Sequence, residues 1–529
     1  MNSLEEDNIF AHRLHFERIS MLTKATLSSN ARNYKTDIIR SRSLPKLFNY
    51  LSEATFFDFP DGDSVDSNLI LLTVISKIAN AQFPYQRSRI STDMARAYLL
   101  YDLIPKQEEN YLKNRYKTNY VNIPKVFENQ NGITVKDYLI ITFVIFAFYM
   151  ILYNKYIKLK SDFVNSVVAK IQKLEEPNDF IFEILFRLIE YLVPFRNKFI
   201  FNSSSLILAD SDVLNEEMIN KYLALTSRTP THLSDLQNKA TYKKGSISLR
   251  LCPLERYPIL KFENDQYLVP NIRYFDASIE KFIHFEMQDL FPSNQFNDTF
   301  GGVFEKYVQF LTSSRLDGFI FIPEISYQKN NVQAGGIDLV IIDEANNAMI
   351  GIEVKSKKVS LDTKLSPMSD SLDQDMQRIY EAFKKLPSKI DDLYAELPEY
   401  TKWQKIINKI PRENIYCLVV ISGSLFYLPE LINQFRIKDE SHILNNYRYK
   451  YGIMSIDNYE HLIELVYHKK NNLPALLHHY WKSSIDISPK KHSSQLFGGA
   501  ILEETTDYFL HQYIDDIFVE VDRFARRSI

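Results

Sequence analysis

Between positions 295 and 470 short apolar runs alternate with longer amphipathic stretches. Two runs stand close together: Ile337-Asp338-Leu339-Val340-Ile341-Ile342 and Met349-Ile350-Gly351-Ile352-Glu353-Val354-Lys355. The polar segment at 343–347, Asp-Glu-Ala-Asn-Asn, lies between them and supplies turn chemistry. This pattern predicts a β-hairpin. Upstream, the stripe Phe304, Tyr307, Val308 and Leu311 has helical spacing and predicts a helix over 301–314. A strand is expected at 318–327, a helix over 370–386, and further strands at 415–422 and 452–456 with a helix between them. The last two runs are apolar and partly β-branched, as in sheet strands covered by helices.

Residues 1 to about 130 read as mostly helical, with apolar runs at 69–75 and 95–100 and a turn at 57–63. The most apolar run is Tyr138–Tyr153, with tyrosines at both ends and Lys155, Lys158 and Lys160 after it. A bilayer needs about 20 such residues. The shorter run is therefore expected as a buried core helix rather than a membrane span. Helical spacing continues over 180–200, and 257–270 reads as a β-hairpin around Glu263-Asn264-Asp265. Residues 457–529 read as a helical tail with a basic end, Arg523-Phe524-Ala525-Arg526-Arg527.

Three charged residues interrupt the central hairpin: Asp338, Glu353 and Lys355. Charge in a buried strand is costly unless it is paired or bound to metal. With the turn centred between Ala345 and Asn346, Asp338 faces Glu353, Val340 faces Gly351 and Ile342 faces Met349. Alternate residues share a face, so all three charges cluster on one side, with room beside Gly351. A slip of one residue would separate them. Two carboxylates on one face suit a hard divalent cation, which takes one or two protein carboxylates beside water and phosphate. A nearby lysine can orient water or stabilise charge in a phosphoryl transition state. The plainer reading is an ion pair across the strands.

Composition narrows the classes. Apolar content of 45% and charged content of 24% are those of an ordinary globular chain, and the length suggests two to four domains. A net charge of −3 excludes coating of nucleic acid by bulk charge, so any grip must be local. Two distant cysteines, Cys252 and Cys417, give no disulfide framework or thiolate metal site and suit a reducing cytoplasm. Phosphate-cradling glycine loops and nucleophile elbows are absent from the sequence. His478-His479 lacks the spacing zinc ligands use on a helix. Lys357, Lys358 and Lys364 follow the second strand and read equally as a phosphate grip or a solvated loop.

Asp338, a 14-residue gap, then Glu353-Val354-Lys355 resembles the D…(D/E)xK signature of the restriction-endonuclease-like, or PD-(D/E)xK, nuclease superfamily. The resemblance implies that Asp338 and Glu353 bind Mg²⁺, with Mn²⁺ as a substitute, and that Lys355 is catalytic. Gly302-Val303-Phe304-Glu305-Lys306-Tyr307-Val308 matches the acidic helix of many members, which makes Glu305 a further metal-site acid. Gln374, Gln377 and Tyr380 are auxiliary candidates, although their spacing departs from the Gln-x-x-x-Tyr form. The proline that often precedes the first aspartate is missing before Asp338.

The fold implied is an α/β nuclease core, a mixed central sheet flanked by helices, with a large mainly α-helical N-terminal domain. The expected divisions are 1–250, the helical sensing or oligomerisation region; 251–294, the hairpin and its connection; 295–470, the nuclease-like domain; and 471–529, the helical tail. The function implied is a Mg²⁺-dependent nuclease acting on DNA in restriction or anti-phage defence. It would work with nucleic acid, a second copy or a partner defence protein, in the cytoplasm and without a membrane. The alternative is a non-catalytic protein that keeps the fold as a nucleic-acid-binding or scaffold surface.

Overall fold

A computed structural model describes residues 83–171, 199–229, 232–233, 256–262, 264–269, 272–291, 295–329, 332–356, 370–395, 397–422, 449–469, 472–485 and 509–528. The runs at 57–63 and 69–75, most of 180–200, Cys252, and Lys357, Lys358 and Lys364 lie outside the described residues.

Helices α1 (Phe83–Tyr98), α2 (Glu109–Tyr116) and α3 (Val135–Ile171) come first. The apolar run forms the first half of α3, where Tyr138, Ile141, Val144, Ile145 and Tyr149 are buried. Among the described residues, Val135–Leu152 alone is long and apolar enough to cross a membrane, and 67% of it is buried inside the protein. Its apolar surface therefore faces the chain's own core.

A small mixed sheet closes over α3. Its strands are β1 (Phe201–Asn202), β2 (Ser227–Arg228), β3 (Ile259–Lys261) and β4 (Gln266–Leu268), in the order β1-β4-β3-β2. The expected hairpin is β3–β4, with Leu260 opposite Leu268. Its turn uses Asn264 and Asp265 at φ of 58° and 54°, a region these two side chains tolerate. The Tyr149 hydroxyl accepts from the Val269 amide and donates to the Phe199 carbonyl, both at 2.7 Å, and so ties this sheet to α3.

Helices α4 (Ile272–Leu290) and α5 (Gln295–Arg315) lead into the central sheet. Tyr138 of α3 stacks on Phe282 of α4 with ring centroids 5.2 Å apart. The central strands are β5 (Ile320–Pro323), β8 (Leu339–Asp343), β9 (Ala348–Lys355), β10 (Ile415–Ile421) and β11 (Lys450–Ser455), in the order β11-β10-β9-β8-β5. Strands β9, β10 and β11 are parallel, and β8 is antiparallel to both β9 and β5, so the sheet is mixed. The strand expected at 318–327 is split. Pro323 has no amide hydrogen to extend the ladder. The chain then turns away into β6 (Tyr327–Lys329), which pairs only with β7 (Val332–Ala334).

Both faces of the central sheet are covered. Leu339, Ile341, Ile350, Ile352, Leu418 and Val420 join a core with Val303, Phe304, Tyr307 and Val308 of α5. That core also takes in α7 (Ile456–Lys469) and α8 (Leu473–Ile485). Val340, Ile342, Met349, Cys417, Val419 and Ile421 face the other way, against Ile379, Phe383, Leu386 and Ile390 of α6 (Asp370–Tyr394). Helix α6 runs through Pro387, beyond the end expected at 386. A proline inside a helix removes one hydrogen bond, but Leu386, Ile390 and Leu393 on either side of it are buried and hold the last turns in place.

The first core is continuous from α1 to α9 (Asp515–Ser528). Phe518 of α9 meets Phe143 of α3 edge to face, and Lys136 pairs with Asp516 at 2.9 Å. Within this core, the buried Arg96 of α1 joins three helices. Its guanidinium meets Asp93 beside it, Glu280 of α4 at 3.2 Å, and Asp457 and Glu460 of α7 at 2.7 and 2.8 Å.

Candidate metal and phosphate site

The site begins with the hairpin register. Val340 pairs with Gly351, Ile342 with Met349 and Asp343 with Ala348. The turn residues hold it: the Asn346 amide donates to Asp343 Oδ1 at 3.1 Å, and Asn347 takes the left-handed φ of 46°. Extended by one residue, this register sets Asp338 against Glu353. Leu339 and Ile352 face α5, so Asp338, Glu353 and Lys355 face the side covered by α6.

Asp338 and Glu353 are buried, at 5% and 6% exposure. Asp338 Oδ2 accepts from the Val354 amide at 2.7 Å. The Lys355 ammonium lies among three oxygens: Glu353 Oε1 at 2.8 Å, the Val354 carbonyl at 3.2 Å and Asp338 Oδ2 at 3.8 Å. Burial, and then the Glu353 charge, push the Asp338 carboxyl up to about 8. Burial works against the charge on Lys355, but Glu353 and Asp338 outweigh it and hold the ammonium above the ordinary lysine range. The cluster is thus a poorly solvated site in which two carboxyl groups crowd around one ammonium.

Two cations that sequence reasoning missed complete it. Lys389 of α6 donates to Glu353 Oε2 at 2.9 Å and Oε1 at 3.2 Å. The space beside Gly351 lets it approach, because Ile390 fills that space and a Cβ on Gly351 would lie 3.1 Å from its Cδ1. Lys389 was hidden by the expected helix end at Pro387; its only sequence signal is the i, i+4 repeat with Lys385. Arg115 of α2 is the other. It grips Glu305 through Nη1 to Oε2 at 2.7 Å and Nη2 to Oε1 at 3.4 Å, and lies 3.5 Å from Glu324. Gly302 permits this, since a Cβ there would come within 2.7 Å of the Tyr116 hydroxyl. Nothing in the sequence pairs residues 190 positions apart.

Glu305 therefore sits at the edge of the site with its carboxylate held by Arg115. Burial raises its pKa, and Arg115 pulls against that shift. Among the described residues, no three His, Cys, Asp or Glu side chains converge as a self-sufficient metal cage. Gln377 is exposed at the rim, where it donates to Glu381 at 3.0 Å. Tyr380 packs against the α6 core. Gln374 lies on α6, and its side chain is outside the described residues. A cleft of about 520 Å³ opens over Glu353 and Lys355 and is walled by Gln377, Glu381, Lys385 and Lys389 of α6.

The chain matches no protein-family model, no curated protein and no solved structure. Its chemistry is read from the site alone. The arrangement offers two oxygen-donor carboxylates, an ammonium between them and an open, lysine-walled cleft beside them. Hard cations and phosphate oxygens are the ligands that such groups bind.

Proposed function

We propose that this protein is a Mg²⁺-dependent nuclease that hydrolyses phosphodiester bonds, with DNA as its substrate. The convergence of Asp338, Glu353 and Lys355 beside an open cleft carries the reading. The donor set fits a hard divalent cation. Asp338 and Glu353 would hold it, with Glu305 in reserve at the edge, and the Lys355 ammonium already occupies a position among three oxygens that attracts positive charge. When bound, such an ion neutralises phosphodiester charge and acidifies water. The Val354 amide fixes Asp338, and Glu353 fixes the Lys355 side chain. Lys355 would then hold an attacking water, or meet the charge developing on the phosphoryl oxygens, at a defined place. A role in restriction or anti-phage defence follows only by analogy with nucleases joined to large helical regions.

The test is cleavage of linear, circular and single-stranded DNA, with an RNA control, in Mg²⁺ or Mn²⁺ and in EDTA. Asp338→Ala and Lys355→Ala are each expected to lower the rate by about 10²–10⁴-fold with folding intact. Cleavage that survives both substitutions overturns the reading.

One observation favours a second reading, a non-catalytic nucleic-acid-binding scaffold. Lys355, Lys389 and Arg115 already neutralise the carboxylates without a metal. That reading expects binding that is independent of Mg²⁺ and no cleavage by the wild-type chain.

A further inference from the structure

Lys389 is an unexpected partner for Glu353. A carboxylate that already accepts a 2.8 Å hydrogen bond from Lys355 has little need of a second ammonium, yet Lys389 spans both of its oxygens. Lys389 is 20% exposed at the side chain and stands on the wall of the cleft. Lys385, one turn earlier on α6, lines the same wall. Helix geometry places residues i and i+4 on one face about 6 Å apart along the axis. That is close to the distance between successive phosphates on an extended strand. Glu381 is the acidic group on this wall, and Gln377 donates to it.

We infer that Lys389 is a phosphate-binding residue held in reserve by Glu353, and that Lys385 and Lys389 together grip the backbone of a nucleic-acid strand lying along α6. This rests on the nuclease reading and adds to it the path of the substrate. Without a metal, Glu353 keeps two ammonium groups. A divalent cation at Glu353 takes over that negative charge, and Lys389 is released toward the cleft. The substrate strand and the metal therefore assist each other's binding through one lysine. No covalent step is involved.

The experiment uses the full chain and needs no turnover. Mn²⁺ affinity is measured by titration calorimetry or by the spin-resonance signal of free Mn²⁺. Binding of a fluorescent oligodeoxynucleotide is measured by anisotropy in Ca²⁺ across a salt series. Lys389→Met removes a competitor for Glu353 and is expected to tighten Mn²⁺ binding by about two- to fivefold, the upper part of what one partly exposed ion pair is worth. The same variant weakens oligonucleotide binding, and its salt dependence becomes shallower by about 0.7–0.9 in log K against log [salt], one phosphate contact. Lys385→Met produces the same change in salt slope with Mn²⁺ affinity unchanged. Lys389→Arg retains oligonucleotide binding. Lys389→Gln answers the same question if Lys389→Met does not fold. A Lys389 variant that leaves either the Mn²⁺ affinity or the salt slope unmoved overturns the inference while the nuclease reading stands. A wild-type chain whose Mn²⁺ binding is absent, or is undiminished by Asp338→Ala, removes the nuclease reading and this inference with it.

Discussion

At the scale of single residues, the site is a balance of opposite charges in a poorly solvated place. Arg115 shows it best. Its fork matches both oxygens of Glu305, which burial would otherwise push toward the neutral form. Arg115→Ala leaves that carboxylate without its cation. The expected loss is about 1–3 kcal/mol at pH 7, measured by urea denaturation. The loss shrinks at pH 5, because a Glu305 with no guanidinium beside it takes up a proton more readily. A loss equal at both pH values would mean that Arg115 acts through packing on Tyr111 and Tyr116 instead. Asp338, Glu353 and Lys355 were legible in the sequence because they break an apolar pattern whose register the turn fixes. Arg115 was not legible, because a surface-like arginine on a polar helix carries no mark of a partner far along the chain.

At the scale of elements, α6 decides which side chains reach the site. Pro387 lacks the amide that the carbonyl one turn earlier would accept from. Local sequence therefore argues for a helix that stops, and tertiary packing of Leu386, Ile390 and Leu393 overrides it. Propensity is a weak guide where buried side chains sit on both sides of the break. Two substitutions probe the element from opposite directions. Pro387→Ala restores the missing hydrogen bond and is expected to raise stability by about 1–3 kcal/mol in chemical denaturation. Gly351→Val pushes a side chain into Ile390, 3.1 Å away at its nearest, and is expected to cost about 1–3 kcal/mol by overpacking. An unchanged midpoint for Gly351→Val would show that α6 is not seated as described. The same competition explains the split of the expected 318–327 strand. The region was expected as one continuous strand, and only the placement of Pro323 says where the ladder ends.

At the scale of the whole molecule, one core runs through regions that the sequence reads as separate, and Arg96 pins them together. Burial pushes the Glu460 carboxyl up to about 8, in spite of Arg96 and of the hydrogen bond from Tyr307. Asp457 raises it further, and Asp93 and Glu280 face the same guanidinium. The native state therefore keeps a proton that an unfolded glutamate, with a pKa of about 4.3, releases. The sign follows: this share of stability is complete below about pH 4 and is lost as pH rises through about 8. Between these limits its slope approaches one proton, about 1.4 kcal/mol per pH unit. Denaturation midpoints of Glu460→Gln, compared with wild type from pH 5 to 9, are expected to lack this decline. Parallel pH profiles for the two proteins would place the proton elsewhere.

The return of α9 to α3 also sets a timetable. Lys136 and Asp516 are 380 positions apart, and Phe143 waits equally long for Phe518. At ~5–20 residues per second a ribosome takes about 20–80 s to cover that distance. For that interval the flank of α3 that receives Phe518 is made but uncovered. A newly synthesised chain thus carries an open apolar seam along α3 until residues 515–528 arrive to close it.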